Sequence, residues 1–204
     1  MPVRTDREYR FMPVMMPSEK KRFDSAFYVE GYASTFDEPY TLFEMDGIKY
    51  TEVVDKRAFE GADLSDIIMQ YDHSGRVLAR RSNNTLGVEP DNHGFFIYSD
   101  LSKSNAARDM YSDITEGLVT RMSYAYTVDE AEFDKPTPTE RRRVIKRIKK
   151  VYDVSAVSIP ANPGTEISVR SLFDGVIERE KQELLKRQRE LELMKSKYFY
   201  MGVS

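Results

Sequence analysis

The sequence predicts an α+β fold, rich in strands, with one helix inside the main domain and a second at the C-terminal end. Three observations carry that prediction. Short runs whose apolar residues recur at every second position fill most of residues 26–159. One stretch among them, 105–117, switches to a helical period. From about residue 174 the chain loses proline and becomes dominated by Glu, Lys, Arg, Gln and Leu, which favour helix.

Taken in order, residues 1–24 are polar, carry prolines at 2, 13 and 17, and are expected to form a flexible arm. Strand character begins at 26–36, where Phe27 and Val29 alternate with polar residues and Gly31 suggests a bulge. Residues 48–54 are a second extended run, 57–64 a short helical or turn segment, and 67–71 an apolar strand leading into His73. Runs at 76–81, 86–90 and 94–101 follow, the last two joined by a turn at Asp91, Asn92, His93 and Gly94. In 105–117, Ala107, Met110, Ile114 and Leu118 share a helical face, Ser104 or Asn105 caps the start, and Gly117 supplies the left-handed stop. Residues 122–128 alternate cleanly, 129–140 with Pro136 and Pro138 reads as a loop, and 141–159 resumes the extended pattern. The expected organisation is an arm (1–24), one domain (25–172) and a helical tail (173–204).

Composition excludes several function classes. The chain of 204 residues is long enough to bury a core without cross-links. With no cysteine it has no thiol nucleophile, thiolate metal site or disulfide, which fits a reducing cytoplasm. A net charge of −3 gives no global argument for nucleic-acid binding. No apolar run approaches the ~18 residues of a membrane span, and the N-terminus has no signal-peptide pattern, so neither a membrane protein nor a secreted protease is expected.

Three segments carry possible chemistry: YDHS at 71–74, TRMSYAY at 120–126 and VYDVSAVSIPANP at 151–163. Each sets a polar residue on or beside a strand. Ser123 as nucleophile, His73 as base and Asp153 as orienting acid would compose a serine-peptidase triad. In a strand, Ser123 and Ala125 share one face while Tyr124, Tyr126 and Val128 anchor the other. Asp153 and Ser155 likewise share a face, and a carboxylate in so apolar a run needs a donor. His73 would supply one, and so would Arg121 or an arginine of the preceding basic run; Ser155 suits a supporting hydrogen bond. The plainer readings stay open here, with Ser123 a polar residue on a half-exposed strand and His73 a surface turn residue. His93, in DNHG, reads as a solvated turn residue, and with two histidines and no cysteine no zinc site is expected.

Taken with EGYAST at 30–35, VVDKRAFEGA at 53–62, GVEPDNHGFFIYSDL at 87–101 and EGLVTRMSYAY at 116–126, these segments resemble the prohead (head-maturation) proteases of tailed bacteriophages, which share a fold with the herpesvirus assembly proteases. The resemblance runs from about residue 29 to about 169. It implies a mostly antiparallel, barrel-like protease domain with surrounding helices, and a serine endopeptidase that works without metal or organic cofactor. Its implied partners are the major capsid protein and the scaffold protein or scaffolding segment, with self-cleavage, inside the assembling prohead in the host cytoplasm. The third position, usually glutamate in that family, is Asp153 here; it keeps the charge with a shorter reach. The oxyanion hole leaves no residue signature, and the 161–164 loop is one candidate source.

Two readings from other classes remain. One is a catalytically silent assembly or scaffolding protein on the same fold; the other is an esterase, against which the missing G-x-S-x-G elbow counts. The basic run RRRVIKRIKK at 141–150 is read as a strand with Val144, Ile145 and Ile148 inward and its charged chains in solvent, since no aromatic residues interleave the charges to favour nucleic acid. In the tail, Ile177, Leu184, Leu191 and Tyr198 fall seven apart, an incomplete heptad that allows pairing with a second copy, with capsid or scaffold protein, or with its own domain.

Overall fold

The structure, a computed structural model, describes residues 7–13, 15–19, 21–158 and 172–201. The chain divides into two compact units, residues 1–162 and 163–204. The first unit is the mixed, mostly stranded α+β domain expected from the sequence, built on one seven-stranded and one three-stranded sheet. Among the described residues, neither sheet closes on itself.

The spine of the larger sheet is a long hairpin of β9 (Arg121–Asp134) and β10 (Glu140–Val157). Both strands run further than their apolar alternation, so most of the loop expected at 129–140 is strand, and only 135–139, with its two prolines, turns. Polar residues extend the hairpin because each strand satisfies the other's backbone, which demands no buried face. β10 is bulged at several points and changes neighbours along its length. Its first part pairs in parallel with β4 (Ile48–Val54), and its last part pairs in parallel with β5 (Ile68–Tyr71). β3 (Tyr40–Met45) continues the sheet beyond β4, and β6 (Ser74–Arg80) forms a hairpin with β5. The smaller sheet has the order β2 (Tyr28–Thr35), β8 (Gly94–Asp100), β7 (Leu86–Pro90). The helix α1 (Asn105–Thr115) begins where expected: Ser104 Oγ accepts from Ala107 N at 3.1 Å, and Ala107, Met110 and Ile114 are buried.

The stretch expected to be a flexible arm, ordered only in part, contributes a strand to the larger sheet. Glu8–Pro13 forms β1, an edge strand antiparallel to β9, and Met16 bridges to Glu30 of β2. The cause is a buried ionic cluster that no local pattern announces. Glu52 of β4 is fully buried and accepts from Arg10 Nε at 2.5 Å, Arg10 Nη2 at 2.6 Å and Arg143 Nη1 at 2.8 Å, with Tyr40 Oη donating as well. Glu8 receives Arg143 Nη2 at 2.8 Å and Arg10 Nη2 at 2.9 Å. Burial alone would raise the Glu52 carboxyl, but the charge and hydrogen bond of Arg10, then the charge of Arg143, hold it below the usual range. The basic run therefore departs from the expected solvated strand: Ile145 and Ile148 are buried as expected and Val144 is half-buried, yet Arg141 and Arg143 are buried too.

The core gathers Val29, Ile67, Met69, Phe95, Ile97, Leu101, Met110, Tyr124, Tyr126 and Val154 around both sheets and α1. The second unit contains α2 (Asp174–Met201), where Leu184, Leu185, Leu191, Leu193 and Met194 are all exposed.

Candidate active site

Cross-strand register brings two of the three candidate residues to one face. Ser155 of β10 lies directly opposite Ser123 of β9, and Asp153 lies opposite Ala125. Residues in direct register share a sheet face, as do residues two apart on a strand, so Ser123, Ala125, Asp153 and Ser155 all project from the same side. Tyr124 and Tyr126 project from the other side, and Tyr126 Oη lies 3.4 Å from Glu52 Oε1, so the ionic cluster backs the strand that carries Ser123. Asp153 and Ser123 are diagonal neighbours, a separation of about 7–8 Å.

His73 arrives on that face from the tip of the β5–β6 hairpin. Tyr71 and Ser74 pair, leaving Asp72 and His73 as a two-residue loop with φ of 47° and 54°. Two left-handed residues in succession are the signature of a type I′ turn, whose twist matches the strands it joins. The turn thus falls at Asp72 and His73, directly after the strand that the sequence leads into His73. Because β5 runs beside the end of β10, with Ile68 in register with Asp153 and Tyr71 with Ala156, the hairpin tip folds back over Asp153. His73 Nδ1 lies 2.5 Å from Asp153 Oδ1, and Ser155 Oγ donates to the same oxygen at 2.8 Å.

These two contacts supply the donors that a carboxylate only 4 % exposed requires. They come from the histidine and from the supporting serine, not from Arg121 or the basic run. Ser123 is fully buried, and among the described residues its hydroxyl has no hydrogen-bond partner. No hydrogen bond therefore joins Ser123 to His73 in this state. His93 is an exposed turn residue whose backbone N–H donates to Asp91 Oδ1 at 2.7 Å, as its sequence suggests. The 161–164 loop considered for the oxyanion hole lies outside the described residues.

The caudovirus prohead serine protease family matches residues 15–179, a span holding every segment that carries the resemblance. The chain belongs to that family. Among solved structures, it is similar to the capsid assembly protease gp21 of bacteriophage T4, at 10 % identity and a TM-score of 0.43, covering 76 % of this chain and 99 % of that one. No curated protein matches in sequence.

One contact of the site had no signal in the sequence. Asp72, next to His73, reaches the chain just beyond β10: its Oδ1 accepts from Ser158 N at 2.9 Å and its Oδ2 from Ser158 Oγ at 2.8 Å. The turn preference of Asp is legible in YDHS, but a partner 86 residues away is not.

Proposed function

We propose that this protein is a serine endopeptidase that cleaves the scaffold protein or the capsid protein's scaffolding segment, and itself, inside the assembling prohead. Ser123 Oγ attacks the scissile carbonyl, and His73 Nε2 takes the hydroxyl proton and returns it to the leaving amine. Asp153 holds Nδ1–H and stabilises the imidazolium, and Ser155 holds Asp153. The reading draws on side chains alone, with no metal or organic cofactor. The observation that carries it is the 2.5 Å contact of His73 with Asp153 on the face from which Ser123 projects. The diagonal separation there suits one imidazole between carboxylate and hydroxyl. A buried hydroxyl without a partner forfeits about 1–3 kcal/mol, which a purely structural serine would have no reason to retain.

The burial of Ser123 favours a second reading, a catalytically silent assembly protein, because a hydroxyl with no exposure offers a peptide no direct approach. Co-expression with the phage's capsid and scaffold proteins separates the two, with products read by gel and mass spectrometry. Ser123→Ala and His73→Ala should each lower processing by up to about 10⁶-fold, and Asp153→Ala by about 10⁴-fold. Processing by Ser123→Ala equal to wild type would remove this serine from the mechanism and leave the assembly reading.

A further inference from the structure

We propose that Asp72 is a positioning residue for the histidine: a clamp from the hairpin tip to the end of β10 that sets His73 against Asp153. The inference rests on the proposed roles of His73 and Asp153. Asp72 and His73 form the whole loop between β5 and β6, and both lie in the left-handed region. For a residue with a Cβ that conformation costs about 1–3 kcal/mol and persists only where the surroundings enforce it, although the short polar side chain of Asp can offset part of the cost by bonding locally. The enforcement comes from Asp72. Its backbone N–H donates to Ala156 O at 2.9 Å, and its two carboxylate oxygens take Ser158 N at 2.9 Å and Ser158 Oγ at 2.8 Å.

Those three bonds fasten the residue before His73 to positions three and five residues after Asp153, on the same strand and its immediate continuation. The catalytic contact and the clamp thus close a small ring: His73 to Asp153, along β10 to Ala156 and Ser158, across to Asp72, and back to His73. Rotation of the hairpin tip, the motion that would separate Nδ1 from Oδ1, breaks the clamp first. The carboxylate meets two donors on one residue together, a backbone N–H and a hydroxyl. An asparagine can meet both only by turning one bond round, its amide N–H₂ donating to Ser158 Oγ.

The test has an arm that needs no catalysis. In full-length protein carrying Ser123→Ala, the Nδ1 proton shared by His73 and Asp153 should give a downfield resonance by proton NMR. It should survive Asp72→Asn and broaden or vanish in Asp72→Gly, which keeps the positive-φ turn but removes the carboxylate. In the second arm, with Ser123 intact and a scaffold-derived peptide as substrate, Asp72→Gly should lower kcat by about 100-fold with KM little changed, the effect of a roughly 1 Å misplacement. Asp72→Asn should recover most of that loss. Ser158→Ala, which removes one bond without touching the turn, should fall between wild type and Asp72→Gly even if Asp72→Gly proves poorly folded. An unchanged resonance in Asp72→Gly, a wild-type kcat in Ser158→Ala, or a loss appearing in KM would overturn the proposal. Full activity of Ser123→Ala would instead overturn the functional reading, and the NMR arm would still report on the clamp.

Discussion

Replacing Glu52 with Gln keeps the side-chain volume and removes the charge at the centre of the buried cluster. Glu52 is 0 % exposed, and the Arg10 and Arg143 side chains that converge on it are each 6 % exposed, so neither cation can turn to water when the carboxylate goes. The new amide also presents N–H₂ donors to guanidinium groups that only donate. Glu8 still faces both arginines, so they keep one partner. Breaking a buried ion network by removing one member costs about 3–5 kcal/mol. With a urea slope of about 2 kcal/mol/M, the midpoint should fall by about 1.5–2.5 M. Urea titrations followed by circular dichroism, at pH 7 and with Ser123→Ala in both proteins to prevent self-cleavage, measure it. Replacing Glu8, Glu52, Arg10 and Arg143 together by apolar residues should recover most of the loss, since the cost lies in stranded charge. The pH dependence has a definite sign. The folded carboxyl lies below its unfolded value of about 4.3, so its contribution is complete above that pH and is lost as pH falls through the folded value. The Gln variant should lack this part of the acid slope. A loss at pH 7 below about 1 kcal/mol would refute the reasoning, because β1 would then not depend on the cluster.

Two further outcomes follow from packing. At Gly94 an added Cβ would sit 2.0 Å from the backbone oxygen of Ser34, which cannot move without parting β2 from β8, so Gly94→Ala should lose about 1–3 kcal/mol and an unchanged thermal midpoint would refute the close approach. Ending the chain after Phe173 removes α2, whose Leu184 and Leu193 are 59 % and 63 % exposed, and should leave intrinsic peptide cleavage within a few-fold of wild type while reducing incorporation into proheads; loss of cleavage by a folded truncated protein would place the helix in the active unit.

What was legible in the sequence is what neighbouring residues decide among themselves. The span 48–54 and the span 86–90 are strands with those bounds, and α1 starts at the Ser104 cap, because alternation, helical spacing and capping act within a few residues. The placement of Asp153 with Ser155, and of Ser123 with Ala125, followed from the period of two. β3 was missed, and β1 lies in a stretch expected to be a flexible arm ordered only in part, since neither has a clean alternation. β1 exists because Arg10 finds Glu52, 42 residues away. Arg143 was expected in solvent because its burial depends on Glu8 and Glu52, acceptors outside its own strand.

The candidate site divides along the same line. By itself the sequence determined the strand-rich α+β class, the family, and the residue types available for acyl transfer: a serine, a histidine and an aspartate, with no cysteine to compete. Tertiary structure decided that His73 approaches Asp153, that Asp72 reaches Ser158, and that Ser123 is buried. The first two follow from the parallel pairing of β5 with the end of β10. Local sequence sets which way a side chain can point within its own strand. Which strand lies beside it depends on contacts between residues distant in the chain, 80 positions apart for His73 and Asp153, whose free energy belongs to the assembled sheet and to no segment of it.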